Sequence, residues 1–371
     1  MADLYIGLMS GTSLDGVDAV LARFAPDQSL SVLAHRHHPF EFALKAELLA
    51  LNDPGDNEAH RCAIAANGVA RSYAALVKKL LQDSGHAPEQ IRALGAHGQT
   101  IRHRPGEFDG CGYTLQLLNG ALLAELSGIA VVCDLRSRDV AAGGQGAPLV
   151  PAFHRALFAR QDADIAVLNI GGISNISLLG RDGSTTGFDC GPGNCLMDYW
   201  TGLQRGQAYD ADGAWAATGQ VLPELLQAML AEPFFDLPPP RSTGRDLFNP
   251  SWLAPLLARH ASGAAAQDVQ ATLLELSAAS IAQALSAHGP ASSELLVCGG
   301  GALNGRLMQR LQSLLPALRV LGSEARGLPP MQVEAAAFAW LAMRFERGLP
   351  GNLSAVTGAA GPRLLGALYP A

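Results

Sequence analysis

The chain begins with an apolar run, Leu4-Tyr5-Ile6-Gly7-Leu8, breaks into Met9-Ser10-Gly11-Thr12-Ser13, and resumes apolar through Val17-Asp18-Ala19-Val20-Leu21-Ala22. Apolar segments on both sides of a Gly/Ser/Thr/Asp turn predict a β-hairpin. From Asn57 to Ser84 the period changes. Val69, Tyr73, Leu76, Leu80 and Leu81 recur at helical spacing, and Gly85 is the residue a helix C-terminus prefers. Leu94 to Ile101 reads as one strand running into a polar tip at His97-Gly98-Gln99-Thr100. Ile129 to Cys133 reads as a wholly apolar strand ending in Asp134-Leu135-Arg136.

Residues 141–151, Ala-Ala-Gly-Gly-Gln-Gly-Ala-Pro-Leu-Val-Pro, shift in composition to a Gly/Pro-rich loop. The domain boundary is placed there, giving an N-terminal lobe of 1–140 and a C-terminal lobe of 141–371, with the last helix a candidate to pack back on the first lobe. The second half restarts in the same way: Ala166 to Ile170, then Gly171-Gly172, then Ile173 to Leu179. The two hairpins match in pattern and not in letter, as a diverged internal duplication would. A helix is expected over 268–288, stopped by Gly289-Pro290. It is followed by Leu295 to Cys298, Gly299-Gly300-Gly301 and a helix through Leu307, Leu311 and Leu314. Strands alternating with helices in both halves give an α/β architecture.

Composition narrows the function. At 371 residues, with 49% hydrophobic and 16% charged, the chain has core enough for two domains. A net charge of −7 argues against nucleic acid as a partner, since a phosphate backbone needs a basic face. Any phosphate ligand must then be held locally by backbone amides. The N-terminus has neither a basic n-region nor an apolar h-region, and no apolar run is long enough to span a membrane. A cytoplasmic protein is expected. The 6 cysteines show no CxxC pairing and are read as reduced thiols. His35, His37 and His38 cluster without a neighbouring acid or cysteine at metal-ligand spacing, and are read as surface.

Three Gly-rich turns each follow an apolar strand: Ser10 to Ser13, Gly171-Gly172, and Gly299 to Gly301. Glycine lets a backbone approach a ligand closely, and unpaired N–H groups in such turns suit phosphate. There is no GxxxxGK[ST] loop and no GxGxxG after the first strand, so neither a P-loop nor a Rossmann reading is supported. In Gly187-Phe188-Asp189-Cys190-Gly191-Pro192-Gly193-Asn194, Asp189 is framed as a rigid general base, or as a turn-forming Asp capping the helix that follows. Arg136 is either a surface ion-pair partner or a fork for a substrate carboxylate. Glu334, in an apolar helical stretch, is either solvated at its edge or turned to a cleft.

Seven segments in order resemble the anhydro-N-acetylmuramic acid kinase family over essentially the whole chain: Gly7 to Asp18, Ala96 to His103, Asp139 to Pro151, Leu168 to Asn175, Gly187 to Asn194, Ser242-Thr243-Gly244-Arg245, and Val297 to Ala302. The resemblance implies a two-lobed actin/hexokinase-like fold of duplicated RNase H-like domains with ATP in the interlobe cleft. It implies that Gly11, Thr12, Ser13, Leu14, Asp15, Gly16, Val17 and Asp18 clasp the ATP phosphates and that Gly171, Gly172, Ser174 and Asn175 face them from the other lobe. Gly299, Gly300 and Gly301 would pack near the adenosine. Asp189 matches the family's catalytic acid, and Gln99, Thr100, Arg136 and Glu334 are candidates for holding the sugar. ATP and Mg²⁺ are the implied cofactors, with the metal ligands unassigned, and a homodimer is the expected assembly. The rivals are a hydroxyl kinase of the same fold, an ATP-binding regulator, and a plain glycosidase, which would not need three phosphate-type turns.

Overall fold

The computed structural model describes residues 3–11, 13–27, 29–244 and 247–371. Thr12 and Arg245, both in the motifs above, lie outside the described residues. The chain divides into two units, residues 1–157 with 332–371, and residues 158–331. The division thus falls after Leu157, where the sequence expectation set it at 140/141. The reason is that the Gly-rich loop is tied into the first unit. Gly146 N–H donates to Asp139 Oδ2, and Gln145 N–H donates to Thr357 O.

In the first unit β1 (Asp3–Met9), β2 (Val17–Phe24) and β3 (Leu30–His38) form an antiparallel meander, and β4 (Ile91–Ala96) runs parallel to β1. β5 (Gln99–Pro105) and β6 (Gly112–Leu117) form a separate two-stranded ribbon. β7 (Val131–Cys133) lies parallel to β4, and the strand Ala367–Tyr369 closes the edge. The order is β3-β2-β1-β4-β7 and then the closing strand. The strand expected over 94–101 is therefore two strands of different sheets. Gly98, at φ 76°, turns the chain out of the first into the second.

The central strands are buried on both faces, which is why they read as continuous apolar runs: Tyr5, Ile6 and Leu8 in β1, Val131 and Val132 in β7. One cover is the helix Glu58–Ser84, which buries Val69, Tyr73, Leu76, Val77 and Leu80 and ends, as expected, in a left-handed Gly85 at φ 69°. The other is the helix Val333–Glu346. It lies against Gly7 of β1 and Gly95 of β4, which are register partners.

The second unit repeats the plan. β8 (Asp164–Ile170), β9 (Ile173–Leu179) and β10 (Thr185–Pro192) are antiparallel, β11 (Ser292–Cys298) runs parallel to β8, and β12 (Arg319–Gly322) runs parallel to β11. The order β10-β9-β8-β11-β12 has the same connectivity and the same strand directions as β3-β2-β1-β4-β7 of the first unit. The duplication suggested by two hairpins is thus a duplication of whole sheets. The helix Ala266–His288 is buried along most of its length, with Leu273, Leu274, Leu276, Ile281 and Leu285 in the core of this unit. Among the described residues no helix is long and apolar enough to cross a membrane, and no disulfide is formed.

Candidate active site

In the first unit polar groups gather where β1 ends. Ser10 is buried, and its hydroxyl donates to Gly98 O and meets Tyr73 Oη at 2.8 Å. His97 Nδ1 bonds Ser10 O at 3.0 Å, so the ring carries its proton there and presents Nε2 as an acceptor. Arg136 fills that acceptor with Nε at 3.2 Å and Nη2 at 3.0 Å, and donates Nη1–H to Gly146 O at 2.8 Å. Burial, with Arg136 beside it, pushes the His97 pKa down to about 3, so it stays neutral through the physiological range. Burial also lowers the Arg136 pKa to about 10, against the opposing charges of Glu334 and Asp139. Arg136 is therefore aimed by a neutral histidine and a backbone carbonyl, and the surface ion-pair reading falls.

Gln99 and Thr100 open β5 at the same place. Gln99 is fully buried, and its Nε2–H donates to Gly11 O at 3.1 Å. Its Oε1 has no hydrogen-bond partner among the described residues, an acceptor that a ligand N–H or O–H would satisfy. Thr100 Oγ1 accepts from Gln116 Nε2 at 3.2 Å. The loop beside Arg136 is fixed by Asp139, fully buried, whose carboxylate accepts from Gly146 N, Asn352 Nδ2 and Thr357 Oγ1 at 2.6–2.8 Å. Asp139 thus gives the long Asp139 to Pro151 motif a structural anchor.

The first turn holds Leu14 at φ 55°, a strained backbone for a residue with a side chain, and its N–H donates to Gly11 O. Leu14 and Val17 put their side chains into the core, while Ser13 Oγ donates to Asp15 Oδ1 at 2.7 Å. His37 and His38 are exposed, as expected, and Asp18 adds a partner to the cluster. Across the β2/β3 ladder its carboxylate meets His35 Nε2 at 2.8 Å and His37 Nδ1 at 3.3 Å. Burial pushes the Asp18 pKa up, but the two imidazole contacts outweigh it and hold it below the usual carboxylate range. The same contact raises the pKa of His37. The acid that the cluster lacks along the chain stands opposite it in the sheet.

In the second unit the remaining motifs converge on the end of β8. Asn194 N–H donates to Gly171 O, and Gly193 and Cys195 N–H both donate to Gly172 O. A Cβ on Gly299 would lie 2.4 Å from Asn169 Oδ1, and one on Gly301 would lie 2.3 Å from Ile170 Cγ2, so these glycines let β11 close against β8. The helix expected directly after Gly301 starts at Gly305, capped by Asn304 Oδ1 accepting from Leu307 N–H. Ser174 is buried, and its hydroxyl donates to Gly191 O.

Asp189 sits on β10 opposite Asn175, and a bulge follows it: Asp189 pairs with Asn175 and Gly191 with Ser174, leaving Cys190 as the extra residue. Bulges re-aim neighbouring side chains and often flank active sites. Asp189 does not cap the helix Cys195–Arg205. Its Oδ2 instead accepts from Thr243 N–H at 2.9 Å, and its N–H donates to Arg241 O at 3.1 Å. Burial pushes the Asp189 pKa up to about 7, with the Thr243 hydrogen bond and the Arg241 charge opposing it. Thr243 Oγ1 is buried with no partner among the described residues. Thr243 and Arg241 escaped sequence reasoning, which quoted Ser242-Thr243-Gly244-Arg245 without giving it a task; its polar run after Pro238-Pro239-Pro240 was the available signal.

The glycines separate into two kinds. A Cβ on Gly7, Gly95 or Gly299 would lie within 2.4 Å of another residue, so packing demands glycine there. On Gly11 it would meet nothing nearer than 3.6 Å, on Gly171 nothing nearer than 3.6 Å, and on Gly300 nothing nearer than 3.8 Å. None of the three has a left-handed φ. Nothing in the fold requires glycine at these positions, and the room above their backbones fits the close approach of a phosphorylated ligand.

A duplicated sheet with an open glycine turn after the first strand of each copy is the plan of the actin/hexokinase-like ATPases. The chain matches the family model "Anhydro-N-acetylmuramic acid kinase" over residues 3–371, and it belongs to that family. It is 61% identical over 374 residues to the anhydro-N-acetylmuramic acid kinase of Variovorax paradoxus, covering 100% of this chain and 99% of that protein. To the protein of the same name from Cupriavidus pinatubonensis it is 57% identical over 370 residues, covering 99% and 98%. Among solved structures it is similar to the activator of the 2-hydroxyisocaproyl-CoA dehydratase from Clostridium difficile with bound ADPNP, at 12% identity and a TM-score of 0.49, covering 94% and 96%.

Proposed function

We propose that the chain opens the 1,6-anhydro ring of 1,6-anhydro-N-acetylmuramic acid with water and transfers the γ-phosphoryl group of ATP to O6. The products are N-acetylmuramic acid 6-phosphate and ADP, in peptidoglycan recycling. One observation carries the reading: a half-buried carboxyl, Asp189, held by the backbone on a bulged strand, where desolvation pushes its pKa up to about 7. In the anhydro sugar O6 is bonded to C1, so there is no free O6 hydroxyl to phosphorylate. Water must form a bond to C1 as the C1–O6 bond breaks, and O6 takes the electron pair and attacks the γ-phosphorus. Asp189 accepts the proton of that water, as the base of an inverting glycosidase does. A carboxylate with a pKa near 7 is a stronger base than an exposed one and is still ionised in a large fraction at neutral pH.

Arg136, aimed by His97, is assigned to the lactyl carboxylate of the sugar, with Glu334 beside it. Gln99 Oε1 would accept from a sugar N–H or O–H, and Thr100 lies next to it. The turn from Gly11 to Asp18 and the turn from Gly171 to Asn175 are the equivalent points of two copies of one topology. Each is assigned to the nucleotide's phosphates, with Gly299 to Gly301 on the adenosine side. When bound, Mg²⁺ would neutralise phosphate charge during transfer. Among the described residues no group of three His, Cys, Asp or Glu side chains is placed to hold a metal, and its ligands stay unassigned.

The test is turnover of ATP with the anhydro sugar in ¹⁸O-enriched water. Label at C1 of a 6-phosphorylated product is the expected result. Phosphorylation of the open sugar alone, or ATP hydrolysis indifferent to either sugar, would discard the reading. A second expectation concerns the open glycines. Gly11→Ala and Gly171→Ala should change stability by less than about 1 kcal/mol, since the backbone tolerates Ala. Both should raise the KM for ATP or lower kcat by about tenfold or more, in melts and steady-state kinetics run side by side.

A further inference from the structure

Arg241 has no part in the reaction as described, yet its contacts tie the segment that carries Asp189 to residues 234–237. Its Nε–H donates to Asp189 O at 3.1 Å, and its Nη1–H groups donate to Phe235 O at 2.8 Å and Leu237 O at 2.7 Å. The guanidinium lies 5.4 Å from the centre of the Phe188 ring and 5.2 Å from that of Phe234, both rings buried. Its own carbonyl accepts the Asp189 N–H, so residues 189 and 241 exchange two hydrogen bonds. These bonds go to carbonyl oxygens, which orient a cation without neutralising it. Gly191, past the bulge, is glycine for the same assembly: a Cβ there would lie 2.6 Å from the Phe235 ring.

We infer that Arg241 is a positioning residue for the base: it fixes the main chain of Asp189 at the bulge and supplies the positive field under which that carboxyl ionises. This rests on Asp189 being the base. Other charges reach the same place. Cys190 follows on β10, and its thiol is buried and pushed far up in pKa, so it stays neutral. Asp236, from the turn Pro233–Asp236, acts on Arg241 with the opposite sign. His288, ending the helix Ala266–His288, stands edge-on to Phe188 at 5.1 Å. Burial and Arg241 push its pKa down, so it is neutral where Asp189 titrates. Among the described residues acting on this carboxyl, Arg241 is thus the one that carries permanent positive charge.

The experiment is the pH profile of kcat and of kcat/KM, whose acid limb reports the ligand-free protein, for the wild type, Arg241→Met, Arg241→Lys and Asp189→Asn. The wild-type acid limb should have its midpoint near 7. In Arg241→Met it should move up by about one unit, which lowers kcat about tenfold at pH 6.5 and leaves it within about threefold at pH 9.5, with both KM values unchanged. Arg241→Lys keeps the charge and loses the fork, so kcat should fall by a similar factor at every pH while the limb stays in place. A limb that does not move in Arg241→Met, with Asp189→Asn inactive, overturns the inference and keeps the base. An active Asp189→Asn overturns the base itself. If Arg241→Met does not fold, Arg241→Lys decides alone, and a kcat equal to wild type at all pH values overturns the inference.

Discussion

Asp189→Asn should bind ATP and the anhydro sugar within a few-fold of wild type, turn over at least about 10³-fold more slowly, and melt at a higher temperature than wild type at pH 8. The first two outcomes follow from chemistry. Asn keeps an oxygen to accept the Thr243 N–H but cannot take a proton from water. The third follows from linkage. The folded-state pKa, about 7, is raised above the unfolded value of 3.8, so folding favours the protonated form. The stability this group contributes is fully present below pH 3.8 and is lost as pH rises through 7. Above 7 the folded protein carries a partly desolvated carboxylate, at a cost of about 2–4 kcal/mol from ~1.4 kcal/mol per unit with some solvent screening. Asn removes that charge, so its advantage should be largest at pH 8 and narrower at pH 5. Melting curves at both pH values, together with turnover, check the whole argument. Wild-type-like turnover would remove Asp189 as the base, and a variant less stable than wild type at pH 8 would remove the desolvation account of its pKa.

Much of this was legible in the chain, and the reason is locality. A hairpin, a helix ended by Gly85 and a Gly-Pro-Gly turn after an acid are each written within a few residues. Both sheets began to show in the hairpins over 4–22 and 166–179, and Asp189 stood out by its frame. The duplication needed the strand order, because the two halves share pattern and hardly any letters. What could not be read were neighbours set by register and return of the chain. Asp18 finds His35 and His37 only across a ladder. Arg136 owes its aim to His97 and Gly146, from separate segments. Arg241 reaches Asp189 over more than fifty intervening positions, and no local pattern marks it. The domain boundary failed for a related reason: composition marked the loop over 141–151, but the buried carboxylate of Asp139 ties that loop to Thr357 and Asn352 near the far end of the chain.

The same long-range logic makes Gly95→Ala, like Gly7→Ala, a severely damaging substitution in the first unit. Gly7 and Gly95 face each other across β1 and β4 and form a notch in which the helix Val333–Glu346 lies backbone-first. A Cβ on Gly95 would lie 1.9 Å from Phe338 O and 2.7 Å from Phe338 C, and one on Gly7 would lie 1.8 Å from Ala335 O. No rotamer relieves a clash between a Cβ and backbone, so the helix must lift by more than an ångström off a close-packed sheet. Overpacking a core with atoms that can shift costs about 1–3 kcal/mol, and here the obstructing atoms are fixed, so about 3 kcal/mol or more is expected. The helix also carries Phe338, whose ring is 4.9 Å from that of His97, and Glu334, whose charge supports Arg136. A protein that survives the substitution should therefore lose sugar affinity while its ATP KM changes less. Urea denaturation should show the loss of stability, and hydrogen exchange should localise it to residues 333–346. A Gly95→Ala protein with wild-type stability would mean that the helix is not seated in the notch, and the placement of Glu334 near Arg136 would fall with it.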